Sequence, residues 1–168
     1  GFDLEVSFGG DGTILAASHK LEDNSVLLLG VKSSLSSVGH LCSYEPSEFT
    51  KLVDDIKNNN LKIKELSRVY AEVSFLSQKE IYCTTPVLND FLFSNEIPSL
   101  TTRYSFQLGT ESERQKSSGI WFSTSAGSSA GIHAGGGKIM QEDLGQVQFL
   151  IREAYDLKDS NFLQGEFD

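Results

Sequence analysis

The residues with the clearest chemical potential are Gly9, Gly10, Asp11, Gly12 and Thr13, which follow one another without interruption. They come after the apolar run 4–8, which predicts a strand, and before residues 14–19, which predict the first turns of a helix. Glycines in such a turn let a ligand approach the backbone N–H groups, and the helix N-terminus adds partial positive charge. The pattern favours a phosphate site.

Asp11 is the unusual member of this turn, because an idle carboxylate there would repel phosphates. A carboxylate in this place can bind a metal ion or accept the proton of an attacking hydroxyl. The alternative is a tight turn in which Asp11 caps the helix.

Two later segments could also contact a ligand. Asn89 and Asp90 interrupt the apolar run 87–93, where adjacent side chains point to opposite faces of a strand, and a simple turn is the alternative. Residues 123–137 are small and rich in Ser, Thr and Gly, so they could admit a flat ligand or form a flexible loop. The Gly-Gly-Gly-Lys run at 135–138 is not a phosphate-binding P-loop, because Ile132 and Ile139 replace two required residues.

The first third of the chain alternates strands and helices. Strands are predicted at 4–8 and 26–30, and a helix at 46–57. This alternation predicts an α/β domain over residues 1–60, with a boundary at the asparagines 58–60.

The rest of the chain changes to a period of two. Strands are predicted at 61–66, 69–76, 81–84, 87–93, 104–108, 120–122 and 147–155, so residues 61–168 form a β-rich domain. Two α/β strands are too few to bury a core alone. Either residues upstream are missing or another chain covers the gap, and we expect the α/β half to be truncated at its N-terminus. Residues 161–167 do not look like the end of a domain, so we also expect closing segments to be missing after residue 168.

The composition of the chain indicates which classes of partner and which compartment to expect. The 168 residues carry a formal net charge of −9, which argues against nucleic acid or an anionic membrane as a partner. No apolar stretch has the length of a membrane span. The histidines do not have the spacing of zinc ligands, so we predict no zinc site. Cys42 and Cys83 fit no disulfide or metal pattern, so we expect a reducing intracellular compartment, the cytoplasm or the mitochondrial matrix.

Taken together, the three motifs resemble the NAD kinase family, which has a GGDG turn, then an Asn-Glu or Asn-Asp pair, then a Ser/Thr/Gly-rich loop in the same order. The match extends over nearly the whole chain. Residues 39–42 (Gly-His-Leu-Cys), 115–119 and 151–153 are similar to the mitochondrial-type branch.

The resemblance implies a two-domain fold of the NAD kinase and diacylglycerol kinase type, α/β plus all-β, with NAD held between the halves. It implies ATP- and Mg²⁺-dependent phosphorylation of the adenosine ribose 2′-hydroxyl of NAD, with the Mg²⁺ carried by the nucleotide, and assembly as a homo-oligomer. Asp11 would be the catalytic base, and the phosphates would lie on Gly9, Gly10, Gly12 and Thr13. The residues that would bind NAD are Asn89, Asp90, Ser118, Ser129 and Ala130.

Three departures from the family pattern stand out. Gly131 replaces the tyrosine of the NAD loop, Lys32-Ser33 replaces the usual Asn-Thr, and Ser118 replaces an acidic residue. Two alternatives to the kinase remain: a non-catalytic NAD(P)-binding module, and a lipid kinase of the diacylglycerol or sphingosine type. The lipid kinase shares the GGDGT turn but does not need the Asn89-Asp90 pair.

Overall fold

The computed structural model describes residues 3–22, 24–36, 39–77, 79–141, 145–155 and 162–167. The chain divides into two compact units, unit 1 at residues 1–65 and unit 2 at residues 66–168. Within the described residues, no helix has the length and apolar character needed to cross a membrane.

Unit 1 has the expected alternation of strands and helices. Its elements are β1 (Leu4–Gly9), α1 (Asp11–Ser18), β2 (Leu27–Lys32), a 3-10 turn (Pro46–Glu48) and α2 (Phe49–Lys57). The two strands are parallel, with Leu4 opposite Leu27 and Gly9 opposite Lys32. Both strands therefore end at the edge of the sheet where α1 begins.

The core of unit 1 explains the position of α2. Leu29 and Val31 of β2 pack with Leu52 of α2, and all three are buried. The 3-10 turn that leads into this helix begins with a reciprocal capping box, in which the side chains of Glu45 and Glu48 each accept the backbone N–H of the other.

Unit 2 consists mainly of strands. They are β3 (Glu72–Ser74), β4 (Ile81–Cys83), β5 (Asp90–Phe93), β6 (Thr102–Leu108), β7 (Glu111–Ser117), β8 (Ile120–Thr124), β9 (Val147–Ile151) and β10 (Gln164–Phe167), with the short helix α3 (Gly131–Ala134) between β8 and β9. An antiparallel sheet has the order β10-β9-β8-β5, while β3–β4 and β6–β7 form separate antiparallel pairs.

Aromatic side chains form the core of unit 2. Ile120, Phe149 and Ile151 are buried on one face of the four-stranded sheet. The ring of Phe106 in β6 lies 4.8 Å from that of Phe149, measured between centroids, so the β6–β7 pair packs on this face. The opposite face carries Asp90, Trp121 and Ser123, because side chains alternate along each strand.

Several predicted elements are wrong in detail. No strand forms over residues 61–66, and the strand predicted at 69–76 is reduced to β3. The alternating pattern at 61–66 has no neighbouring strand to pair with, and alternation alone does not make a strand. The strand predicted at 147–155 ends at Ile151, and β7, β10 and α3 were not expected.

Candidate active site

The glycine-rich turn is shorter than its sequence indicates. β1 ends at Gly9 and α1 begins at Asp11, so only Gly10 lies between strand and helix. Gly10 is the N-cap residue, with φ −109° and ψ −167°, and it offers no side-chain cap. The alternative in which Asp11 caps the helix is therefore wrong. The N–H groups of Asp11 and Gly12 have no partner inside the helix, which is the condition for binding an anion, whereas the Thr13 N–H donates to the Gly10 carbonyl at 3.0 Å.

Gly9 and Gly12 have different surroundings, although they belong to the same turn. A Cβ atom added to Gly9 would overlap the side chain of Thr13, with the Thr13 Cβ at 2.5 Å. A Cβ added to Gly12 would meet nothing within 4 Å, and Gly12 is exposed. Gly9 thus permits the tight turn, while Gly12 leaves open space beside the start of α1.

The Asp11 side chain is held in place by backbone groups from a distant segment. Its Oδ1 accepts the N–H of Leu41 at 2.8 Å, and its Oδ2 accepts the N–H of His40 at 3.0 Å. Gly39, with φ +59°, gives the chain the left-handed conformation that precedes these two residues. A carboxylate oriented by two N–H groups is a fixed acceptor, which is what a general base requires.

Residues 40 and 41 were not identified as partners of Asp11 from the sequence. Backbone N–H groups have no residue signature, so spacing alone could not reveal them. The Gly-His-Leu-Cys segment was noted as similar to one branch of the family, and the structure gives that segment a position beside the turn.

Cys42 lies next to the same turn. Its Sγ donates to the carbonyl of Gly9 at 3.7 Å. Burial raises the pKa of the Cys42 thiol, the Asp11 carboxylate raises it further, and the Lys32 ammonium lowers it. The negative charge of Asp11 and the positive charge of Lys32 therefore both affect the pKa of this thiol.

In unit 2, the predicted loop packs tightly against the Asn89-Asp90 pair. The backbone carbonyl of Asn89 accepts the N–H of Thr124 at 3.0 Å and the hydroxyl of Ser123 at 3.3 Å. A Cβ added to Gly127 would overlap the backbone of Asn89, so only glycine allows this approach.

Asp90 connects β5 to α3. Its Oδ2 accepts the N–H of Ile132 at 3.0 Å, and Gly131 also donates a backbone hydrogen bond. Burial raises the pKa of the half-buried Asp90 carboxyl, and these two bonds lower it in part. Asp90 therefore fixes the start of α3.

The remainder of the loop is also fixed by hydrogen bonds. The buried hydroxyl of Ser128 donates to the Ser125 carbonyl at 2.7 Å and accepts the Met140 N–H at 2.9 Å. The buried Gln148 side chain bonds both the N–H and the carbonyl of Lys138, each at 2.8 Å. These bonds leave Ser129 exposed, with Ala130 next to it as the N-cap of α3. The flexible-loop alternative does not describe this arrangement.

The comparisons with known proteins agree with these motifs. The family model described as the ATP-NAD kinase N-terminal domain matches residues 1–61. The probable NADH kinase of Oryza sativa subsp. japonica is 31% identical over 181 residues, covering 95% of this chain and 54% of that protein. This chain belongs to the NAD kinase family.

Solved structures of NAD kinases confirm the fold. Yeast NADH kinase complexed with NADH has a TM-score of 0.81 at 24% identity, covering 98% of this chain and 47% of that chain. An NAD kinase from Archaeoglobus fulgidus in complex with ATP has a TM-score of 0.69 at 22% identity, covering 93% of this chain and 58% of that chain. The chain spans about half the length of the curated relatives it matches.

The structure accounts for one departure from the NAD kinase pattern. A Cβ added to Gly131 would lie 3.1 Å from Asp90 Oδ2 and 3.3 Å from the indole ring of Trp121. The indole nitrogen lies near Gly135 in the same way, at 3.6 Å from an added Cβ. The Trp121 ring and the Asp90 carboxylate thus lie next to residue 131, where glycine avoids crowding with them.

Ser118 is not brought to the NAD loop. It precedes β8, whose far end carries Ser123 and Thr124, so about 20 Å of extended strand separates Ser118 from Thr124. Its N–H donates to the Arg152 carbonyl at 2.9 Å. A hydrogen bond from its side chain is the main cause that lowers the pKa of Glu153. The assignment of Ser118 to NAD binding stays a prediction.

The described residues contain no group of three or more His, Cys, Asp or Glu side chains that could hold a metal ion. The Asp11 carboxylate is the acidic group at the glycine-rich turn, and both of its oxygens accept N–H groups. A metal ion at this turn would therefore depend on ligands from a bound nucleotide.

Proposed function

We propose that the protein phosphorylates the 2′-hydroxyl of the adenosine ribose of NAD or NADH, with ATP as phosphoryl donor and Mg²⁺ bound to the nucleotide. The observation that carries this proposal is the Asp11 carboxylate, which two backbone N–H groups orient beside the open space at Gly12. Phosphoryl transfer depends mainly on positioning and charge neutralisation, and these groups supply a positioned acceptor.

Each site residue has a role in this proposal. Asp11 orients the ribose hydroxyl and accepts its proton, while Gly9, Gly10, Gly12 and Thr13 receive the phosphates. The NAD contacts belong to a second set of residues: Asn89, Asp90, Ser118, Ser129 and Ala130. The kinases named above support both ligands, because one was solved with NADH and another with ATP.

A non-catalytic NAD(P)-binding module is the second candidate, and Gly131 favours it because a stacking ring is absent from that position. The retained and oriented Asp11 favours the kinase. The relatives named above are NAD or NADH kinases, so they give no support to a lipid kinase.

Assembly and location are part of the same proposal. A homo-oligomer is supported by the exposed apolar side chains of β3 and β4, namely Val73, Ile81 and Tyr82. A reducing compartment, the cytoplasm or the mitochondrial matrix, is supported by the free thiols of Cys42 and Cys83. Light scattering at micromolar concentration tests the oligomer, and a monomer would contradict it.

The activity is tested by incubating the protein with ATP, Mg²⁺ and either NAD or NADH. The product is then measured with a dehydrogenase specific for NADP or NADPH. We expect a phosphorylated dinucleotide from at least one acceptor. Binding of both ligands without product would favour the NAD(P)-binding module.

A further inference from the structure

Lys32 is a cation at the same end of the sheet as the glycine-rich turn. It is the last residue of β2 and lies directly opposite Gly9 in the parallel ladder. Both strands end there, and α1 begins one residue further on, after Gly10. The backbone of Lys32 is thus at the same sheet edge as the proposed phosphate site.

The side chain of Lys32 points to the face of the sheet that carries α1. Val31, its neighbour, packs into the core with Leu52, so Lys32 projects to the opposite face. Gly30 shares that face, and a Cβ added there would overlap the side chain of Ile14 in α1. The lysine therefore projects on the same side as the helix whose N-terminus forms the site.

The segment that orients Asp11 also positions the stem of Lys32. The Cγ and Cδ atoms of Lys32 lie 3.0 and 3.1 Å from a Cβ added to Gly39, so the stem runs along this glycine. The next two residues, His40 and Leu41, hold the Asp11 carboxylate. The Lys32 ammonium and the Asp11 carboxylate also shift the pKa of the Cys42 thiol in opposite directions, so both charges lie close to the turn.

The ammonium keeps capacity for another partner. Its Nζ lies 3.7 Å from Oε1 of Glu45, which is long for a charge-assisted hydrogen bond, and the Glu45 side chain is 48% exposed. An ammonium has three donors, and a partly exposed ion pair at this distance contributes little stability. A phosphate oxygen at the turn would accept a donor of this ammonium that Glu45, at 3.7 Å, does not use well.

We propose that Lys32 is a phosphate-binding residue for the phosphoryl donor, supplying the positive charge that offsets Asp11 at the turn. This inference rests on the proposed function, which places a nucleoside triphosphate on Gly9–Thr13. It concerns a position where the chain departs from the family pattern, since Lys32 replaces an asparagine. The charge would matter because the carboxylate of Asp11 otherwise repels the incoming triphosphate.

Direct binding to the protein tests the proposal without any need for turnover. Calorimetric titrations with Mg²⁺-ATP, with tripolyphosphate and with NADH are compared for the parent, Lys32→Met, Lys32→Arg and Glu45→Gln. We expect Lys32→Met to weaken ATP and tripolyphosphate about tenfold or more, the usual effect of losing one charge-assisted hydrogen bond. NADH binding should change by less than about twofold, and the ATP effect should shrink at high salt.

The other two variants separate charge from structure. Lys32→Arg keeps the charge and should retain ATP binding within about threefold. Glu45→Gln removes the carboxylate that pairs with Lys32 but keeps Lys32 itself, so this variant should bind ATP at least as tightly as the parent. Unfolding temperatures of all variants show whether each one is folded.

Three results would overturn the inference: ATP binding by Lys32→Met that equals the parent's, equal losses in Lys32→Met and Glu45→Gln, or a loss confined to NADH. Failure of this inference can be distinguished from failure of the proposed function. Lys32-dependent ATP binding without formation of NADP or NADPH would retain the inference and overturn the function. Full turnover by Lys32→Met would retain the proposed function and overturn the inference.

Discussion

Replacing Gly12 by alanine should stabilise the fold and weaken nucleotide binding at the same time. Gly12 is the second residue of the eight-residue helix α1, and an added Cβ meets nothing within 4 Å. Its φ is not in the left-handed region, so alanine adopts the same backbone. In a helix, alanine is more stable than glycine by about 0.5–1 kcal/mol.

This gain corresponds to a rise of about 1–4 °C in unfolding temperature for a chain of this size. The same methyl group would occupy the space beside the first turn of α1 where the phosphates are proposed to lie. We therefore expect the Kd for ATP to rise about tenfold, because a displaced phosphate loses hydrogen bonds to the backbone. Differential scanning calorimetry and titration with ATP measure the two effects on the same sample.

Gly9→Ala is the matched control from the same turn. Its added Cβ would lie 2.5 Å from the Thr13 Cβ, and side-chain rotation cannot move that atom. This variant should lose about 1–3 kcal/mol of unfolding free energy. If Gly12→Ala binds ATP like the parent, the phosphates do not approach Gly12 and the cradle assignment is refuted. A lower unfolding temperature for Gly12→Ala would contradict the conclusion that the space beside Gly12 is open.

Two further predictions concern unit 2. Burial raises the pKa of Asp90, so the folded protein keeps this proton at pH values where the unfolded chain has lost it. Stability should therefore fall as the pH rises above the usual carboxyl range, about 4. Asp90→Asn should flatten this slope in denaturant titrations, and an unchanged slope would exclude Asp90 as its source. Asn89→Ala keeps the backbone carbonyl that binds Thr124, so it should unfold within about 0.5 kcal/mol of the parent while NAD affinity falls more than ATP affinity. Equal losses of both ligands would contradict its assignment to the NAD site.

The α/β part of the fold could be predicted closely because local signals agree there. The apolar run before Gly9 located β1 to within one residue, and the glycine turn located the start of α1 to within three. Pro46 and the helical spacing of Leu52 and Ile56 located α2. In these segments, hydrophobic periodicity and turn chemistry indicate the same structure.

The β-rich part was predicted less well because its strands depend on their partners. β7 reads Glu-Ser-Glu-Arg-Gln-Lys-Ser and has no apolar alternation, yet it pairs along its whole length with β6. Residues 61–66 alternate clearly and form no strand, because no neighbour pairs with them. Strand formation is thus decided by pairing across the chain, which a local pattern does not record.

The candidate site could likewise be predicted only where local residue types identify it. Asp11 and the glycines could be identified from residue types, but the groups that orient Asp11 could not. His40 and Leu41 act through backbone N–H groups 29 and 30 residues away from it.

The central claim, that Asp11 is the base of a phosphoryl transfer, is tested most directly by Asp11→Asn beside the parent. Asparagine keeps one oxygen that can accept the Leu41 N–H, so the variant should fold and bind NAD or NADH within about twofold of the parent. We expect the parent to form NADP or NADPH from ATP and Asp11→Asn to form none within the limit of detection. Equal rates of product formation by the two proteins would contradict the account.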